Sequence, residues 1–177
     1  MKRQKAGGKL ILVLGGAASG KSQAALDAAG HARPKAFVAT GQALDREMAE
    51  RIARHRTARS ADWTTVEVPV ELAAWFRRHG NGYRTIVLDC LTLWLSNLRG
   101  RRVRDANVSG RVIDLLDAIR STTARVVVVS NELGLGLVPA GKSVRSFRDL
   151  AGRVNQQVAA EADEVYLVVS GLSLCLK

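Results

Sequence analysis

Gly15-Gly16-Ala17-Ala18-Ser19-Gly20-Lys21-Ser22 limits the possible folds of this chain more than any other stretch. It fits G-x-x-x-x-G-K-[ST], the pattern of a phosphate-binding loop. The preceding Leu10-Ile11-Leu12-Val13-Leu14 is continuously apolar and reads as a buried strand. The following Gln23-Ala24-Ala25-Leu26-Asp27-Ala28-Ala29 is rich in helix formers. Glycines let such a loop turn so that its N–H groups face phosphate oxygens, and the helix N-terminus adds partial positive charge. Within it, Lys21 would reach the β- and γ-phosphates, and the Ser22 hydroxyl would ligate Mg²⁺. An ordinary glycine turn before a helix is the plain alternative. The strand–loop–helix context and a downstream aspartate weigh against it.

At 177 residues the chain is read as one domain, 9–177, behind a basic tail, 1–8. No apolar run is long enough to span a membrane, and no signal-peptide core follows the basic start, so a cytoplasmic protein is expected. The net charge of +11 favours anionic partners such as nucleotides, but composition alone raises nucleic-acid binding only slightly. Cys90 and Cys175 lie in apolar runs without metal-ligand spacing and are expected as buried free thiols.

Along the chain, strands are expected at 35–41, 63–68, 85–89 and 125–130, with a terminal hairpin of 165–169 and 172–176. Helices are expected at 42–59, 70–78, 108–119 and 143–162, with 91–98 as a turn or helix, 99–102 as a basic loop and 134–141 as a glycine-bearing loop. This alternation predicts an α/β fold, with a mostly parallel central sheet, helices on both faces and an antiparallel hairpin at its end. Sites on such sheets form at the C-terminal ends of the strands. That rule gathers Gly15, Thr40, Asp89 and Ser130-Asn131-Glu132 onto one edge.

Asp89 ends an apolar strand, where an acid suits Mg²⁺ or a metal-bound water; the competing role is a helix N-cap. Around His55, a helix would place Met48 and Ile52 on the same face and Arg51, Arg54, Arg56 and Arg59 about it. Neighbouring cations favour a neutral, nucleophilic imidazole and would hold a triphosphate. A solvated basic face explains the same residues. Glu67 could meet a ligand hydroxyl or a guanine edge, or merely water. Arg145, Arg148 and Arg153 with Asp149 read either as a phosphate-facing surface or as a salt-bridged helix.

Several runs together resemble the bifunctional adenosylcobinamide kinase/adenosylcobinamide-phosphate guanylyltransferases of cobalamin biosynthesis. These are the glycine loop, Ala39-Thr40-Gly41-Gln42-Ala43-Leu44-Asp45 and Arg51-Ile52-Ala53-Arg54-His55-Arg56. They continue through Asp89-Cys90-Leu91-Thr92-Leu93-Trp94-Leu95-Ser96-Asn97, Val129-Ser130-Asn131-Glu132 and Phe147-Arg148-Asp149-Leu150-Ala151-Gly152-Arg153-Val154-Asn155-Gln156. The resemblance implies a RecA-like P-loop fold and a homotrimer. It also implies two reactions on a corrinoid: phosphorylation of adenosylcobinamide by ATP or GTP, then transfer of GMP from GTP through a GMP-histidine intermediate. The histidine would be His55. GTP contacts would fall on Gly15, Gly16, Ala17, Ala18, Ser19, Gly20, Lys21 and Ser22, on Ala39, Thr40 and Gly41, on Arg56, Thr57, Ala58 and Arg59, and on Glu67 and Asp89. Two departures stand out: Ala18 replaces the family's usual arginine, and Ala140-Gly141-Lys142-Ser143-Val144 is unlike the usual acidic and small-residue version. The rival readings are a single-activity P-loop kinase for another small alcohol and a basic, nucleotide-dependent nucleic-acid-binding protein. Neither nucleic acid nor a membrane is an expected partner.

Overall fold

A computed structural model describes residues 8–43, 45–57 and 60–177; the side chains of residues 51, 52 and 54–57 lie outside that description. The elements run β1 (Leu10–Gly15), α1 (Lys21–Ala29), β2 (Lys35–Ala39), α2 (Arg46–Thr57), β3 (Trp63–Glu67), α3 (Leu72–His79) and β4 (Thr85–Asp89). They continue with α4 (Leu91–Gly100), α5 (Asp105–Arg120), β5 (Arg125–Asn131), α6 (Lys142–Glu161), β6 (Glu164–Val169) and β7 (Leu172–Cys175).

The strands form one seven-stranded sheet in the order β3-β2-β4-β5-β1-β6-β7. Every pairing is parallel except β6 with β7. A continuous apolar strand suits a sheet covered on both faces, because alternate residues then enter two different cores. Leu10, Leu12, Leu14, Ile86, Leu88, Val126 and Val128 pack with α3, α4, α5 and α6. Ile11, Val13, Val87, Val127 and Val129 pack on the other face with Ala25 and Ala29 of α1. Trp94 fills the larger core, and its indole N–H donates to the Val70 carbonyl at 2.8 Å, so its polar edge is satisfied.

Some expected boundaries move. The Gly8 N–H donates to the Thr122 carbonyl at 2.8 Å, just ahead of β1. The expected basic loop is half helix: α4 runs through Gly100, because Arg99 is held by Asp105 at 2.8 Å and by Ser146 at 2.8 Å. The long helix expected from 42 starts at Arg46, where the Asp45 carboxylate accepts from the Met48 N–H at 2.7 Å. Cys175 is exposed rather than buried, because it lies on the edge strand β7, all of whose residues are exposed. Cys90 is buried as expected, and burial together with the neighbouring Asp89 charge pushes its thiol up to about 11. No described helix is long and apolar enough to cross a membrane.

Candidate active site

The glycine loop leaves the end of β1 and turns into α1, as its sequence context requires. Gly15 has no room for a side chain: a Cβ there would lie 2.4 Å from Ser19 Oγ and 2.8 Å from the Val168 carbonyl oxygen. Gly20 sits at φ +92, a conformation L side chains rarely adopt. The turn between β6 and β7 braces the loop from outside, since the Gly171 N–H donates to the Ser19 carbonyl at 2.9 Å. Lys21 is only 8% exposed and its Nζ donates to the Gly16 carbonyl at 3.0 Å, so the ammonium already lies across the loop. Gly16, Ala17, Ala18 and Gly20 are exposed, which leaves the loop surface open to a ligand. Ala18 is left-handed at φ 53.

Ser22 and Asp89 meet, with Ser22 Oγ donating to Asp89 Oδ2 at 3.0 Å. A hydroxyl and a carboxylate at the start of α1 form the hard-oxygen donor pair that suits Mg²⁺. The helix-capping alternative for Asp89 does not hold, because the N-cap of α4 is Cys90 and the Asp89 carboxylate accepts from Ser22. Ser19 Oγ, a buried atom of the loop, has no hydrogen-bond partner among the described residues.

The edge expected from strand ends is present. Ala39 pairs in register with both Glu67 and Asp89, placing β3, β2 and β4 in one row. Glu67 is exposed there, on the opposite side of its strand from Val66 and Val68, which turn toward the core. Gly41 is half-buried just beyond. Thr40 behaves differently from a lining residue. It is 0% exposed, its N–H donates to the Asp89 carbonyl at 3.0 Å, and its hydroxyl bonds the Cys90 carbonyl and N–H at 2.7 and 2.8 Å. Asn97 Nδ2 bonds its carbonyl at 2.8 Å. Thr40 therefore supports Asp89 from beneath the site.

The sequence reading missed that support and a second one. Thr92 Oγ1 accepts from the Asn131 N–H at 2.9 Å and lies 3.4 Å from Ser130 Oγ. Asn155 Nδ2 donates to the Asn131 carbonyl at 3.1 Å. These residues stand within the distinctive runs, but only tertiary pairing shows that they fasten the end of β5. Arg145 instead folds back onto the Pro139 and Ala140 carbonyls, and is not part of the edge.

Ala58 and Arg59 lie outside the described residues, as do the side chains of His55, Arg56 and Thr57. The backbone of α2 is described, and it follows the segment that leaves β2 at Ala39, so the helix carrying His55 departs from the site edge.

The family described as cobinamide kinase / cobinamide phosphate guanyltransferase matches residues 11–176. The chain belongs to this family. It is 39% identical over 180 residues to the bifunctional adenosylcobalamin biosynthesis protein CobU of Escherichia coli, covering 95% of this chain and 99% of that protein. It is 42% identical over 169 residues to the corresponding CobP of Pseudomonas aeruginosa, covering 94% and 96%. Among solved structures, the KaiC-like protein PH0186 of Pyrococcus horikoshii superposes with a TM-score of 0.53 at 13% identity, covering 91% of this chain and 71% of that one. A RadB recombinase gives 0.50 at 15%, covering 92% and 74%. At these identities the likeness concerns the fold, which is the RecA-like P-loop arrangement.

Proposed function

We propose that this family member carries out both reactions: phosphorylation of adenosylcobinamide by ATP or GTP, then transfer of GMP from GTP to the resulting phosphate. The observation that carries the reading is the Ser22–Asp89 pair at 3.0 Å below an open glycine loop, in a chain of this family. For the first reaction, the loop N–H groups and Lys21 hold the phosphates and take up charge as the γ-phosphoryl leaves. Ser22 and Asp89 would hold Mg²⁺, which supplies Lewis-acid neutralisation of phosphate oxygens when bound. Thr40 and Asn97 keep the Asp89 backbone fixed while this happens.

For the second reaction, a ring nitrogen of His55 attacks the α-phosphorus of GTP. The α–β phosphoanhydride P–O bond breaks and pyrophosphate leaves. A phosphate oxygen of the acceptor then attacks the same phosphorus, the P–N bond breaks and the imidazole is regenerated. Arg56, Thr57, Ala58, Arg59, Ala39, Gly41 and Glu67 are assigned to GTP on the strength of the resemblance. A homotrimer is part of the same proposal, tested by light scattering across a wide concentration range; a monomer mass throughout removes it.

The deciding experiment is incubation with GTP labelled at the α-phosphate. Wild-type protein becomes labelled, and the adduct is lost in acid but survives base, as a phosphoramidate does. His55→Ala loses the label and guanylyl transfer while keeping measurable kinase activity; the alanine variants of His31 and His79 label normally. Persistent labelling in His55→Ala removes His55 as the nucleophile, and a wild-type protein that takes no label leaves only a P-loop kinase. Salt-sensitive DNA binding without GMP labelling would favour the nucleic-acid reading instead.

A further inference from the structure

The distinctive run from Phe147 to Gln156 has no part in the phosphate chemistry above, yet the structure gives it a surface. It lies on α6, where Arg148, Arg153, Asn155 and Gln156 form one wall of a groove of ≈ 570 Å³, facing Leu14 and Glu132 at the ends of β1 and β5. The groove adjoins the nucleotide loop, because the Glu132 N–H donates to the Gly15 carbonyl at 3.0 Å. Gly134, also in the lining, donates its N–H to Glu132 Oε1 at 2.7 Å, and a Cβ there would lie 2.9 Å from that oxygen. Glycine at 134 thus leaves the carboxylate in place.

The chemistry of this lining differs from that of a phosphate site. Its two arginines are matched by Glu132 and by Asp149, which lies 3.7 Å from Arg148. A polyphosphate would meet two carboxylates here. A neutral ligand with many donors and acceptors meets complementary groups from both sides. Asn155 is 5% exposed and its Oδ1 is buried with no partner among the described residues, so an unmet acceptor stands behind the groove wall. The chain segment that leaves the groove at Gly134 carries a strip of exposed apolar residues in sequence, Leu135, Leu137 and Val138, at 79%, 96% and 69% exposure. A large ligand with an apolar face and a rim of amides matches both parts.

We propose that this groove is the acceptor subsite and that it receives the carboxamide rim of the cobinamide, with the macrocycle face toward the strip at 135–138. The assignment rests on the functional reading above. It places the acceptor at the open end of the glycine loop, on the opposite sheet face from α1.

The test is steady-state kinetics of the kinase reaction with cobinamide and GTP varied separately, using the full chain. Arg153→Ala and Gln156→Leu alter exposed side chains, so the core is not disturbed. Each should raise the KM for cobinamide about tenfold, the scale of one lost hydrogen bond. The KM for GTP should stay within about twofold. Equilibrium dialysis with cobinamide alone should show the same weakening without turnover. An unchanged cobinamide KM in both variants overturns the groove assignment and leaves the kinase standing. An equal rise in both KM values also overturns it, because that marks a general disturbance. A wild-type protein that does not phosphorylate cobinamide removes the functional reading and this assignment together.

Discussion

The two edges of the sheet use polar residues in opposite ways. At the edge where the strands begin, charges are paired across elements: Lys9 with Glu164, Lys35 with Asp62 at 3.0 Å, and Arg120 with Asp163 at 2.9 Å. There the Asp163 carboxylate also accepts from the Leu10 N–H at 2.8 Å, and the Arg125 Nε–H donates to the Ala28 carbonyl at 2.9 Å. At the edge where the strands end, the chain offers a glycine loop, the Ser22–Asp89 pair and the exposed Glu67. One edge satisfies its charges internally and secures the sheet. The other keeps backbone N–H groups and oxygens open, where they are of use only to a ligand. Damage to the first edge should therefore appear as lost stability, and damage to the second as lost activity.

Lys21→Ala tests this division most severely. Removing the ammonium beneath the loop should lower kinase turnover about 10³-fold and weaken nucleotide binding, with chemical denaturation little changed. Wild-type turnover in this variant would break the division. Asp163→Ala is the converse. It strands the buried Leu10 N–H and removes the carboxylate partner of Arg120, which keeps the Gly8 and Glu161 carbonyls, and should cost about 2 kcal/mol in urea unfolding. Its GTP affinity should stay within about twofold; a large drop would show that the two edges are coupled.

A smaller effect sharpens the comparison inside the active edge. Ala18→Gly relieves a left-handed backbone at φ 53 but adds freedom to the unfolded chain. The balance should be a gain of about 0.5 kcal/mol by chemical denaturation, and a loss would mean that the loop does not retain that geometry in solution.

The smallest effect concerns acid. Ser60 first, then Lys35, holds Asp62 down to about 2. A depressed carboxyl stabilises the fold above its unfolded value of about 3.9, and that contribution disappears as pH falls from there through about 2. Asp62→Asn should flatten the stability–pH curve in this window, lie slightly below wild type near neutrality, and meet it as pH falls toward about 2.

Much of this contrast was readable from the chain. The glycine loop required its strand and helix, and Asp89 could be placed at a strand end because apolar residues run directly into it. The roles of Thr40, Thr92 and Asn155 could not be read, because each depends on bonds to residues distant in sequence, and a threonine or asparagine looks the same whether it braces a strand or binds a ligand. Arg99 misled for a similar reason. In sequence it heads a basic loop, whereas in the fold Asp105 and Ser146 hold it at the end of α4. Cys175 misled because an apolar neighbourhood implies burial only when another layer covers it, and β7 is an edge.

The bracing of the glycine loop by Gly171 also sets an order of events during synthesis. β1 is translated first, but its sheet neighbours begin at Arg125 and Glu164, and the turn that supports Ser19 follows later still. A growing chain leaves the ribosome at about 5–20 residues per second. The phosphate loop thus emerges seconds before anything can hold its shape. A ribosome-bound chain halted before Glu164 lacks one neighbour of β1 and the Gly171 support, so GTP should gain a hold on the nascent protein only after Gly171 has been made.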